Sequence, residues 1–153
     1  MKLHITLALI VSTLFINNVY ADNINEKTCD QALEQGDVAG ALTAANKALS
    51  FNSRDKDTLI CQGRAFSAQG ELNKALAAFS TSAKLTKDPF DQTIIALVTG
   101  QAYKAAKQND VAIASFEKSI NFAKVANNQA FVRINQNAIG DICLLYTSDA
   151  ADE

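Results

Sequence analysis

The sequence is poor in the side chains that most enzymes use near neutral pH. The 153-residue chain has one histidine, His4, which lies in an apolar N-terminal stretch. The rest of the chain offers no imidazole for a Ser or Cys triad, for proton transfer, or for a histidine-ligated metal. No glycine-rich phosphate loop of the GxxxxGK or GxGxxG type occurs. We therefore expect a protein that is not an enzyme and carries no cofactor.

Metal binding and carboxylate catalysis are equally poorly supported. Cys29 and Cys61 have no histidine to help them complete a tetrahedral zinc site, so no metal is expected. Asp55 and Asp57 form a pair of nearby carboxylates, but they stand beside Ser53 at a predicted helix start. Capping and the helix dipole explain them better than catalysis does.

Tryptophan is absent, and the chain has one proline and six glycines. A sequence that is 48 % apolar and 20 % charged, in which Ala, Asn, Gln, Lys and Leu dominate, is typical of a soluble globular protein and favours helix over strand. The prediction is an all-α fold.

The first 21 residues are predicted to be a signal peptide. Lys2 precedes an uncharged apolar stretch from Ile5 to Ile16, and small residues at Val19 and Ala21 fit a cleavage site. As a helix this stretch is roughly 18 Å long, shorter than the roughly 30 Å hydrocarbon layer of a bilayer. We expect export to the bacterial periplasm or medium after cleavage near Ala21. The alternative is an uncleaved anchor, which would be the only membrane contact.

The body of the chain contains an internal repeat. GRAFSAQGELNKALAAFSTS, from Gly63 to Ser82, aligns without gaps on GQAYKAAKQNDVAIASFEKS, from Gly100 to Ser119, at a shift of 37 residues. An upstream segment from Glu34 to Leu49 aligns on the first of these at a shift of 34. Small and aromatic residues return at fixed offsets, which predicts stacked units of two antiparallel helices.

These residues resemble the tetratricopeptide repeat family. Its pattern of a small residue, an aromatic, Ala and a second aromatic is matched twice and is degenerate in the first repeat. The matching residues are Gly63, Phe66, Ala75 and Phe79; Gly100, Tyr103, Ala112 and Phe116; and, in the degenerate copy, Cys29, Ala32, Ala41 and Ala45. The resemblance implies a right-handed α-α superhelix, a solenoid of about three and a half repeats over residues 22–142, truncated in the fourth.

Helix boundaries follow from capping signals. Asp88-Pro89-Phe90-Asp91 reads as an N-cap followed by proline at the first helical position. Glycines 36 and 70 mark helix ends. The shift of 37 residues between the second and third repeats is three longer than the shift of 34 between the first and second. The three additional residues are expected in a loop near TKDPFD. Helices are predicted near residues 25–35, 38–51, 54–68, 71–85, 90–107, 110–126 and 128–142.

The last eleven residues, CLLYTSDAADE from Cys143 to Glu153, match no part of the repeat. Read back into codons, they resemble a transposon-end adapter that is ligated to DNA fragments for sequencing. We expect residues 143–153 to be an artefact of this kind, with the gene continuing elsewhere after Ile142. A genuine acidic tail is the alternative.

The predicted repeat and the predicted export both make a disulfide between Cys29 and Cys61 worth considering. Cys29 and Cys61 fall on successive first helices, which lie side by side in such an array, and an oxidising compartment lets a disulfide persist. A possible disulfide between them and a pair of buried thiols both remain open.

The resemblance also implies a concave face formed by the first helix of each repeat. The residues expected to line it and to bind a partner are Glu26, Asp30, Asp57, Ile60, Arg64, Leu97, Gln101, Lys104 and Ile134. Acidic and basic side chains balance over residues 22–142, so nucleic acid is not an expected partner. The expected function is a protein–protein interaction scaffold that holds a peptide or partner helix. The alternative is an accessory region of a larger enzyme or membrane-associated protein.

Overall fold

The computed structural model describes the backbone of residues 28–149 and the side chains of residues 28–144. This part of the chain consists of helices joined by short connections and contains no strand, which confirms the all-α prediction. The predicted leader, Glu26 and residues 150–153 lie outside the described residues. Between residues 28 and 149, no helix combines the length and the apolar character needed to span a bilayer.

Seven helices follow one another in the described chain, joined by short connections. They are α1 (28–34, the described part), α2 (Val38–Phe51), α3 (Lys56–Ala68), α4 (Leu72–Leu85), α5 (Pro89–Ala105), α6 (Asn109–Val125) and α7 (Gln129–Asp149). We call α1, α3, α5 and α7 the first helices, and α2, α4 and α6 the second helices.

Aspartates fix the starts of three helices. The side chain of Asp37 accepts a hydrogen bond from the Gly40 N–H, and that of Asp55 accepts one from the Thr58 N–H. Asp88 accepts from two amides in the first turn of α5, where Pro89 occupies the first helical position as predicted. Asp55 therefore acts as a helix cap.

One predicted loop assignment and one predicted helix end are wrong. The residues that lengthen the predicted third repeat extend α5 rather than a loop: α5 has 17 residues, while α3 has 13. The cap at Asp88 starts α5 directly after a connection of only three residues, 86–88, so the connection is not lengthened. Helix α7 continues past residue 142 to Asp149, because after Gly140 the sequence contains no glycine or proline that would stop it.

Each helix from α2 to α6 packs against the helix that follows it. The first helices also contact one another, α3 against α5 and α5 against α7, whereas α4 and α6 do not approach within 8 Å, Cα to Cα, anywhere in the described chain. Neighbouring helices therefore bury their apolar faces together along a row in which first helices lie next to first helices.

Two glycine–phenylalanine contacts set the spacing inside the helix pairs. A Cβ atom added to Gly63 would overlap the Phe79 ring, and one added to Gly100 would lie 2.6 Å from the Phe116 ring. Both rings are buried. Each phenylalanine thus occupies space that only a glycine leaves free, at equivalent places in two helix pairs.

The second helices are also tied to the first helices by buried hydroxyls. Ser82 of α4 donates a 2.9 Å hydrogen bond to the Lys56 carbonyl oxygen, and Ser119 of α6 donates a 2.8 Å bond to that of Thr93. Both contacts span 26 residues, so the same link occurs twice. Near the N-terminus, by contrast, the core cluster of α1, α2 and α3 consists of alanines and two cysteines without an aromatic ring.

Candidate functional site

A disulfide joins the first two helices of the first-helix row. Cys29 of α1 and Cys61 of α3 are bonded, with their Cα atoms 6.4 Å apart, and both are buried. They lie in the alanine-rich cluster, where alanine side chains alone fill little volume. The bond therefore holds α1 against α3 at the place where aromatic packing is missing.

Beside this disulfide, three first helices form a shallow depression of about 340 Å³, which we call the first-helix groove. Helix α1 contributes one residue to it, α3 four and α5 two. They are Asp30; Asp57, Ile60, Cys61 and Arg64; and Asp91 and Ile94. Four residues that the sequence marked for a binding face, Asp30, Asp57, Ile60 and Arg64, are thus brought together.

Ion pairs run across the first-helix groove from one first helix to the next. Arg64 Nη1 of α3 lies 2.9 Å from Asp30 Oδ1 of α1. Lys56 Nζ, at the start of α3, lies 2.9 Å from Asp57 and 3.1 Å from Asp91 Oδ1 of α5. The Arg64–Asp30 pair is largely solvated, so it contributes about 1 kcal/mol or less and can be exchanged for contacts with a ligand.

Asp91 is the most enclosed carboxylate of the first-helix groove. Burial disfavours its charge, but hydrogen bonds from the Thr86 hydroxyl (2.8 Å) and the Lys56 ammonium outweigh that cost and lower the pKa of the Asp91 carboxyl. Burial likewise opposes the charge of Lys56, yet hydrogen bonds to Asp57 and Asp91 and their negative charges raise the pKa of the ammonium. Both groups are therefore charged at neutral pH.

Three other predicted residues lie farther along the row and do not line the first-helix groove. Gln101 is exposed on α5, and Lys104 Nζ lies 3.2 Å from Asp141 Oδ2 of α7. Ile134 of α7 is 46 % exposed. Of the three, Lys104 makes a contact that links α5 to α7.

Leu97 does not belong to the surface that the sequence assigned to it. Its side chain is only 9 % exposed and packs with Phe116 and Ile142 in a core cluster. Helix α7 covers this side of α5 and removes Leu97 from solvent. We therefore exclude Leu97 from the partner-binding set.

Sequence reasoning missed Asp91 and Ile94 as groove residues, since Asp91 was assigned only to the first turn of α5. A signal was present: DTLI at residues 57–60 and DQTI at residues 91–94 repeat the Asp-x-x-Ile spacing. Placed on neighbouring first helices, both pairs reach the same groove.

No group of His, Cys, Asp and Glu side chains between residues 28 and 144 is arranged to hold a metal ion. Comparison with known proteins finds no family model that matches the chain and no curated protein with a significant match.

Proposed function

We propose that this chain is a non-catalytic scaffold of the tetratricopeptide repeat type. It binds a peptide or a partner helix in the first-helix groove, in the bacterial periplasm. Two observations support this proposal: the residues that meet in the first-helix groove, and the contacts that recur between first and second helices.

The repeated contacts support a solenoid-like array. Gly63 receives the Phe79 ring and Gly100 receives the Phe116 ring at the same offset, and the Ser82 and Ser119 hydroxyls make equivalent bonds. First helices contact first helices, as in a superhelix whose inner face they line. An array of this kind needs neighbours to bury its apolar faces and presents an extended surface for recognition.

The composition of the first-helix groove is the observation on which the function depends. Two half-buried isoleucines, Ile60 and Ile94, come from neighbouring helices, and charged groups of both signs surround them. Aliphatic contacts supply affinity, while the rim charges select partners and orient them. Arg64 and Asp30 are paired with each other at the surface, so a partner with its own charges can replace that weak pair.

The disulfide supports the proposed location. A bond between Cys29 and Cys61 persists in an oxidising compartment and is uncommon in the bacterial cytosol. It also stiffens the α1–α3 side of the first-helix groove before any ligand arrives, which lowers the entropic cost of binding.

The test is a binding selection with the full chain. Peptides are selected from a displayed random library on immobilised protein, and the affinities of the best sequences are measured by calorimetry. The groove variant Arg64→Glu with Ile94→Ser should weaken binding by tenfold or more, because it reverses a rim charge and removes an aliphatic contact.

The matched control is Lys47→Glu with Val125→Ser, which changes one exposed cation and one exposed aliphatic residue on second helices. It should bind as the unaltered chain does. All proteins are first compared by circular dichroism. If the groove variant keeps full affinity while the control loses it, the binding surface lies elsewhere and the proposal fails.

A further inference from the structure

A second cavity lies between the second helices α4 and α6, away from the first-helix groove. Its floor is the stretch of α5 from Gln92 to Tyr103, and its walls are α4 from Leu76 to Ala83 and α6 from Val111 to Lys118. We call it the α4–α6 trough. Its volume, about 410 Å³, is within the range of roughly 300–1,000 Å³ that is usual for small-molecule sites.

The trough exists because the two walls stand apart while both pack on α5. Small side chains face it from each wall, among them Ser80 and Ala83 on α4 and Ser115 on α6. Its lining residues recur every three or four positions on each helix, so the cavity runs along the helix axes. From Gln92 to Tyr103 it extends about 16 Å at 1.5 Å per residue.

The two ends of the trough differ in chemistry. Neighbouring helices run in opposite directions, so Tyr103 at the end of α5 meets the starts of α4 and α6, where Leu76 and Val111 contribute apolar surface. The other end holds Lys118. Ile95 and Ala96 lie on the floor between them.

Charge in the trough is of one sign only. Lys118 is the only charged side chain among the described residues that line it, and no carboxylate faces it there. Lys118 Nζ lies 5.9 Å from the Phe122 ring and forms no ion pair with any described side chain. Its charge is therefore available to a ligand.

We propose that the α4–α6 trough binds a small amphiphilic anion, with its apolar chain along Ile95 and its anionic head at Lys118. The elongated cavity, lined by apolar residues such as Leu76 and Val111 together with small hydroxyl side chains, takes the chain, and the one cation among its described lining residues selects the sign of the head group. The site is separate from the partner-binding first-helix groove, so either one can be tested without the other.

Decanoate is the probe, added to the full chain below its micelle concentration and followed by calorimetry and by the thermal unfolding midpoint. We expect one saturable site and a midpoint that rises with decanoate concentration. Lys118→Gln should weaken binding roughly five- to tenfold, because it removes the one charge that the described lining residues bring to the trough. Lys124→Gln, which changes a lysine in the last turn of the same helix, is the matched control and should bind as before.

Ser80→Phe tests the location. Ser80 is exposed, so the substitution is compatible with folding, and its ring should fill the trough and abolish binding, while Ser80→Ala should keep it. Decylammonium, with the same chain and the opposite charge, should bind far more weakly. The proposal is overturned if decanoate fails to bind saturably, if decylammonium binds as well, or if a folded Ser80→Phe variant binds decanoate normally. Should Ser80→Phe not fold, equal affinity of Lys118→Gln and Lys124→Gln overturns it.

Discussion

At the scale of single residues, glycines decide how closely a first helix and its second helix approach. Gly63 and Gly100 each lie under a buried phenylalanine ring of the paired helix. The ring leaves no room for a methyl group, so the usual gain in helix propensity from alanine is outweighed by overpacking.

Gly63→Ala should therefore lower the free energy of unfolding by about 1–3 kcal/mol, measured by urea denaturation. Gly140→Ala is the control, because Gly140 lies in α7 and a Cβ there would meet nothing within 4 Å. The control should be unchanged or more stable by up to about 1 kcal/mol. A Gly63→Ala protein as stable as the unaltered chain would show that Phe79 does not require this close contact.

A second residue-scale effect occurs at the turn between α5 and α6. Gly36 and Gly70 end their helices with φ of 75° and 78°, but Lys107 stands at the corresponding place with φ of 58°. A side chain in this left-handed region costs roughly 1–2 kcal/mol that glycine avoids. Lys107→Gly should raise the free energy of unfolding by up to about 1 kcal/mol, whereas Lys87→Gly, in a connection without positive φ, should not. Chemical denaturation of both variants measures the difference.

Asp91 makes stability depend on pH. Its pKa in the folded chain lies below the ordinary value of 3.8, so its charged form stabilises the fold above that value, and the contribution is lost as pH falls through the folded pKa. Asp91→Asn should cost about 1 kcal/mol near neutral pH, and the cost should disappear in strong acid.

The pH series is a set of urea denaturations of the unaltered chain, Asp91→Asn and Asp57→Asn. Asp57 bonds the same lysine, but its side chain is 59 % exposed, so its replacement should change stability by less than about 0.5 kcal/mol. A cost for Asp91→Asn that stays constant down to strong acid would rule out a role for the carboxylate charge.

At the scale of helices and helix pairs, the structure uses two different ways to close its core. The pairs α3–α4 and α5–α6 each bury a phenylalanine ring, while the buried residues of the cluster around α1 and α2 are alanines and the two bonded cysteines, with Leu33, Val38 and Leu42 packed against them at the edge. The covalent bond thus holds helices together at a place where no buried aromatic ring packs between them.

Removing the bond by Cys29→Ala with Cys61→Ala should lower stability by roughly 3.5 kcal/mol on the chain-entropy account for a separation of 32 residues. Amide hydrogen exchange should accelerate most in α1 and α2 and least in α6, which keeps its own buried ring. The double alanine variant and the protein that keeps the disulfide are both compared in a Cys143→Ser background, since Cys143 is an exposed free thiol. Equal acceleration in α2 and α6 would contradict a local role for the bond.

Much of the helical structure could be predicted from local sequence. The helices, the cap at Asp88 and the small and aromatic positions follow from periodicity and capping, which depend on neighbours in the chain. The extra turn of α5 could not be assigned, because a repeat alignment places an insertion without saying which conformation it adopts. The continuation of α7 was missed because a break in the repeat pattern was taken for a break in structure.

At the scale of the whole molecule, the row of first helices determines which predicted residues form a site. Asp30, Asp57, Ile60 and Arg64 meet in the first-helix groove. Leu97 was predicted from its repeat position, yet its burial depends on how α7 lies over α5, which no local pattern contains. The Lys56–Asp91 ion pair is a contact of the same long-range kind.

The most direct test of the central claim is a methyl NMR titration of the full chain, labelled at isoleucine, with the tightest peptide from the binding selection. If the first-helix groove is the binding surface, the methyl signals of Ile60 and Ile94 should move first and most, while that of Ile95, in the α4–α6 trough, moves little. Saturable binding that shifts Ile95 and leaves Ile60 and Ile94 unchanged would contradict the account.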